Sequence, residues 1–344
     1  RLNLFDHCHF AMTEPTDARP TAALQHPPGG WLAHMPVPLF ASVMGLTGLT
    51  IAWKRAEELF AWPHAMSSVL MFGTLAVYAL LLALYAAKLV RHPGAVKHEF
   101  SHPVRISFFP AISIGALLLA IPTKTDLPEL SLALVAFGAA LHLGLTIVIL
   151  SSWIHHTRYE IAHSTPAWFI PIVGNIIVPI PAMAHGYVEI AWFFFSIGFL
   201  FWIVLLTIMM NRFFFHPPVP SKLLPTLFIL IAPPAIGCLS WLALHHGAVD
   251  DLARVLYYVG LFTTMLLLYQ LPHFTKLPFA LPWWAYSFPS AAITIATLAM
   301  ARGLDNAVLR GLGMVLLFVI TALIGFLFVR TLIAIRAGKV FVPE

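Results

Sequence analysis

An all-α integral membrane bundle is the fold class this sequence predicts, and three observations predict it. The 344 residues are 60 % apolar and 10 % charged, with a mean hydropathy of +0.88; soluble domains carry about 25 % charged residues. Ten stretches approach the roughly 20 apolar residues that cross a bilayer, at 36–53, 66–87, 106–123, 130–152, 166–186, 190–210, 223–244, 255–271, 283–301 and 311–329. Proline then sorts between them. The odd-numbered stretches hold Pro36 and Pro38, Pro110, Pro171 with Pro179 and Pro181, Pro233 with Pro234, and Pro289; the even-numbered ones hold none. Proline removes an N–H donor and crowds the carbonyl four residues back. In lipid, a freed carbonyl survives only against protein or a water-filled cavity. Five bent helices alternating with five straight ones therefore predict an inner ring and a lipid-facing outer ring. The expected architecture is ten transmembrane helices wound as five parallel hairpins around a central pore, with pseudo-five-fold order.

Taken in order, the first stretch opens on Pro36 and Pro38 and carries Gly45. The third runs Pro110-Ala-Ile-Ser-Ile-Gly115, the seventh Pro234-Ala-Ile-Gly237 and the ninth Pro289-Ser-Ala-Ala292. Small residues after each proline permit close backbone approach or leave lumen space. The fourth holds His142, the one clearly mid-span histidine of 17. A haem would need a second buried histidine facing it, so a hydrogen-bonded core residue is expected. Asn175 of the fifth stretch either lines a lumen or bonds a neighbouring helix. The ninth begins Leu281-Pro-Trp-Trp-Ala-Tyr-Ser-Phe288-Pro289, where Trp283 and Trp284 suit a membrane interface. Phe288 stands just before the break. On residue type alone its ring is either ordinary packing or a plug, since hydrophobic constrictions gate by excluding water.

The stretches use most of the chain and predict one domain, 31–344, behind a tail at 1–30 expected to be poorly ordered. Met12-Thr-Glu-Pro reads like a natural start, which would make 1–11 tag or upstream sequence. No apolar centre of a cleavable signal peptide is visible in the tail. The net charge of +5 does not point to nucleic acid, because the basic residues lie between the apolar stretches. Thirteen Lys and Arg fall on the N-terminal side and six on the other. That excess marks the cytoplasmic face and predicts both termini inside, in a bacterial inner membrane. Cys8 and Cys238 are too differently placed to pair, and neither has partners for a metal site. No cofactor is expected, and no nucleophile elbow, phosphate loop or zinc spacing supports catalysis.

None of the 14 carboxylates falls inside a predicted span, and no Lys or Arg is central. Ion-coupled pumps need ionisable groups at depth, and cation pores favour Asp or Glu rings. Their absence favours a passive path, with anions drawn by the basic face and by backbone dipoles at the breaks.

Several segments carry a family resemblance: His102-Pro-Val-Arg-Ile-Ser-Phe108, Phe169-Ile-Pro-Ile-Val-Gly-Asn175, His246-Gly-Ala-Val-Asp250, Leu252-Ala-Arg-Val-Leu256 and Trp284-Ala-Tyr-Ser-Phe288. In this order, within a ten-span layout from about residue 30 to the C terminus, the chain resembles the tellurite-resistance and dicarboxylate-transporter family. That family includes bacterial TehA, yeast sulfite and malate exporters, and the slow-type anion channels of plant guard cells. The resemblance implies five hairpins about a pore, a homotrimer with one pore per protomer, and small anions as cargo: chloride, nitrate, sulfite, C4-dicarboxylates or tellurite-related species. It implies that Phe288 is the gate. The pore-lining candidates are Gly45, Phe108, Pro110, Asn175, Pro234 and Pro289. The expectation is a passive anion channel or facilitator. Its rivals are a proton-coupled dicarboxylate or sulfite exporter, a membrane redox or enzyme subunit, and a non-conducting tellurite-resistance factor.

Overall fold

The computed structural model describes residues 30–155 and 159–342; the tail expected to be poorly ordered lies, Gly30 apart, outside the described residues. Helix is the only regular secondary structure among them. Ten principal helices follow one another in pairs: α1 (Phe40–Phe60) and α2 (Ala65–Arg91), α3 (Pro110–Thr123) and α4 (Pro128–His155), α5 (Ile170–Ile177, continued by Pro179–Ala184) and α6 (Val188–Phe215). α7 (Ala232–Leu244) and α8 (Asp251–Tyr269) come next, then α9 (Ser287–Gly303) and α10 (Ala307–Arg336). Nine helical stretches among the described residues are long and apolar enough to cross a membrane, so this is a multi-pass membrane protein. α9, 17 residues long, is not among those nine.

Every odd-numbered helix enters through such a turn: Val37–Leu39, Arg105–Phe108, Pro166–Phe169, Ser221–Ile231 and Leu281–Tyr286. Here the structure departs from the expected mid-helix bends. Pro110, Pro171 and Pro233 stand in the first turns of their α-helices, where amides have no intrahelical acceptor and a missing N–H costs nothing. Pro38 stands within its 3-10 turn. Pro179 opens a new short helix that prolongs α5. Pro110, Pro171 and Pro233 thus mark where 3-10 winding gives way to α, whereas Pro179 interrupts the fifth stretch midway and Pro122 lies inside α3.

Burial separates the two sets. Between 72 and 89 % of the apolar window is buried in the four odd-numbered stretches that qualify as spans, against 22 to 33 % in the five even-numbered ones. α9 is buried along nearly its whole length. The odd helices touch in a closed cycle, α1 to α3, α3 to α5, α5 to α7, α7 to α9, and α9 back to α1. Each even helix packs on the odd helix before it and reaches the next, α10 closing onto α1. Because lipid is as apolar as a core, this sorting follows from packing and not from hydrophobicity. At the α1–α9 seam, a Cβ on Gly48 would come 2.7 Å from Ala291 Cβ, so only glycine permits that approach.

The helices turn at their far ends by local capping. Asp250 caps α8, accepting from the Ala253 amide at 2.9 Å and from Trp241 Nε1. Asn306 caps α10 through the Leu309 amide at 3.0 Å. Each satisfies a first-turn donor without an intrahelical partner.

Candidate functional site

A cavity of about 640 Å³ opens at the N-terminal ends of the odd helices. All five odd segments line it, reaching as far as Met44, Ile114, Ile177, Ala232 and Pro289. The site therefore lies where the five 3-10 turns converge. Its depth is walled by apolar side chains such as Phe169, Val173 and Ile229, and by Phe288. Phe288 is 5 % exposed in the first turn of α9. Gly174, also in the wall, leaves room that the His142 ring fills from behind; a Cβ there would overlap the imidazole.

Charge is confined to the mouth, where Lys88, Glu99 and Arg105 contribute with His34, His98 and His102. Lys88 and Glu99 are themselves buried, at 3 and 4 % exposure. Lys88 Nζ donates to Glu99 Oε2 and to the Met35 carbonyl, both at 2.7 Å. Tyr85 donates its hydroxyl to the same Oε2 at 2.9 Å, and Oε1 accepts the Val37 amide at 2.8 Å. The pair thus fixes the chain entering α1, and the carboxylate sits where a helix N-terminus favours negative charge. By sequence both residues fall between the second and third apolar stretches, where nothing ties one to the other. Lys88 stands near the end of α2 and Glu99 on a short helix, Pro93–Ser101, that follows a break at His92, so no periodicity connects them. Glu57, near the end of α1, is likewise buried and accepts the Ser67 amide at 3.0 Å.

Among the residues singled out from sequence, Phe288, Phe108 and Pro289 border this cavity. Gly45, Pro110, Asn175 and Pro234 do not. Gly45 faces Ser287 and Trp284 across the α1–α9 seam. Pro110 and Pro234 are buried in the starts of α3 and α7. Asn175 points outward, donating from Nδ2 to Thr146 Oγ1 on α4 at 3.1 Å and to the Ile172 carbonyl at 2.9 Å. His142 is fully buried, and its Nδ1 lies 2.9 Å from Ser113 Oγ. That serine gives its proton to the Pro110 carbonyl, so Nδ1 carries the hydrogen in this contact. No cluster of three or more His, Cys, Asp or Glu that could hold a metal occurs among the described residues.

A family model described as "Voltage-dependent anion channel" matches residues 34–332, a span that takes in all five odd helices. The chain belongs to that family. Among its relatives in Arabidopsis thaliana, the guard cell S-type anion channel SLAC1 is 26 % identical over 324 residues, 91 % of this chain and 58 % of that protein. The S-type anion channel SLAH3 is 26 % identical over 313 residues, 88 % of this chain and 49 % of that protein. The chain thus spans about half the length of these plant relatives. The tellurite resistance protein TehA homolog of Haemophilus influenzae is 26 % identical over 308 residues, 89 % of this chain and 93 % of the homolog. The family agrees with the resemblance read from the motifs.

Proposed function

We propose that this protein is a passive channel for small anions, conducting through the axis of the five odd helices and occluded by Phe288. The convergence of all five segments on one cavity, with the Phe288 ring in its wall, is the observation that carries this reading. The ten helices form five parallel hairpins, the even members facing lipid. Ions enter the mouth past Arg105, the histidines and the ion-paired Lys88 and Glu99, and then meet apolar walls. Occlusion by an aromatic ring is a dewetting barrier: its removal admits water and then ions. Both termini lie in the cytoplasm, following the excess of basic residues on that side. The cargo is a small inorganic or carboxylate anion, and the assembly is a homotrimer with one pore per protomer, as the resemblance implies.

The test is electrical. In planar bilayers holding the purified protein, the reversal potential is expected to follow the anion gradient and to ignore a pH gradient. A reversal potential that tracks pH instead replaces the channel with a proton-coupled exporter.

A further inference from the structure

At the end of the ring opposite the cavity, the tips of α3 and α5 are joined through side chains. Lys124, just after α3, lies with Nζ 3.1 Å from Nδ1 of His185, which follows the last turn of α5. The other ring nitrogen, Nε2, is 2.9 Å from Oγ of Ser131 in the first turn of α4. Ser131 gives its one proton to the Ala120 carbonyl at 2.7 Å. Its oxygen is left to accept, so Nε2 carries the ring hydrogen. An ammonium can only donate, so Nδ1 must be a lone pair. Two independent partners therefore demand the same neutral tautomer. Burial, and then the Lys124 charge, hold the His185 pKa below the ordinary imidazole value.

The other titratable or charged groups around this corner are Lys54 on α1, Asp126 and Glu129 at the start of α4, Tyr187 and Glu189 at the start of α6, and His245 after α7. Lys54 is committed elsewhere, donating to the Pro122 carbonyl and to Thr125 Oγ1, both at 3.0 Å. Among the described residues, the polar contacts of the His185 ring are those with Lys124 and Ser131.

We propose that Lys124, His185 and Ser131 form a proton-released strap at the outer end of the pore, with His185 as a positioning residue. The inference rests on the reading of α3 and α5 as lumen walls. In its neutral form the imidazole ties the two helix ends together. A proton from the outer solution binds Nδ1 and converts the acceptor into a donor facing the ammonium. Lys124 is then repelled, the tie opens, and two cations face the exit. Both effects favour anion passage, since a concentrated positive field raises local anion density.

The experiment records anion current from the reconstituted full chain while only the side opposite the N terminus is acidified from about pH 7.5 to 4.5, reaching below the ordinary histidine range because the His185 pKa is depressed. It is run in the wild type and in a Phe288→Ala background. The expected result is a rise of at least about twofold in current as the exit gains positive charge. In His185→Gln the carboxamide still accepts from Lys124 and donates to Ser131 but does not titrate, so the rise is lost. In Lys124→Met His185 still takes up its proton, so the part of the rise that comes from added charge stays, but the part that comes from repelling the ammonium is lost and the response is reduced. A monodisperse elution profile in detergent confirms that each variant is folded. An acid response that persists undiminished in folded His185→Gln overturns the strap. Absence of anion current in every variant at every pH sinks the channel reading instead, so the two failures are distinguishable.

Discussion

The Lys88–Glu99 pair shows at the scale of single residues what holds the cavity mouth. Two charges buried at the wall are tolerable only because every strong partner is present: ammonium, carboxylate, Tyr85 hydroxyl, Met35 carbonyl and Val37 amide. Removing one partner leaves the other as an uncompensated buried charge, which costs about 3–5 kcal/mol. Glu99→Gln is therefore expected to lower thermal stability in detergent markedly. The double variant Lys88→Met/Glu99→Leu should recover much of the loss, because apolar replacement of a whole buried pair is often close to neutral. Equal melting temperatures for Glu99→Gln and wild type would show that the pair does not hold the entrance. Gly174 makes a second residue-scale case. Its hydrogen lets the His142 ring lie against α5, so Gly174→Ala should cost about 1–3 kcal/mol through forced displacement. A thermal melt of that variant reads the loss directly. Neither feature was legible in the sequence. An isolated Lys, Glu, Gly or His carries no sign of the partner that another helix brings to it.

At the scale of elements, proline was informative for a reason different from the one first inferred. The odd stretches are expected to bend at their prolines; Pro110, Pro171 and Pro233 instead stand where an α-helix begins after a 3-10 turn, while Pro179 does interrupt the fifth stretch midway. Both readings rest on the missing N–H; sequence does not show whether the vacancy falls mid-helix or at a terminus, because helix ends are set by packing. The helix caps were more local and so more readable. Asp250 stands one residue before α8 and binds both its amide and the Trp241 ring, and these hydrogen bonds hold its pKa below the usual carboxylate value. A depressed folded pKa means that the cap contributes stability above the ordinary carboxylate range. That contribution disappears as pH falls through the lower folded value. Asp250→Ala should thus cost at most about 1 kcal/mol at neutral pH, and the difference from wild type should vanish in acid. A gap between the two melting curves that stays unchanged as pH falls through and below the ordinary carboxylate range would contradict the assignment.

At the scale of the whole molecule, alternation was legible: proline-bearing stretches are the buried ones and proline-free stretches the exposed ones. Sequence could sort the helices because burial inside a membrane protein selects small residues and breaks that lipid-facing helices do not need. It could not choose which residues of a buried helix face the axis, since an odd helix is apolar on every side. That is why Phe108, Phe288 and Pro289 reach the cavity while Gly45 and Asn175 turn to neighbouring helices. A cysteine at Val173 in the cavity wall should react with a charged thiol reagent applied from the N-terminal side, and the product should obstruct the anion current. One at Ala292, deeper in α9 and fully buried, should react far more slowly.

The most direct measurement compares single-channel and macroscopic anion currents of wild type and Phe288→Ala, matched for the amount of folded protein in the bilayer. If five helices enclose a path that this ring stoppers, the truncated side chain opens it, and the variant carries clearly more current than wild type. Currents that match the wild type, from a variant shown to be folded and inserted, would mean that the ring blocks nothing and that anions do not pass along this axis.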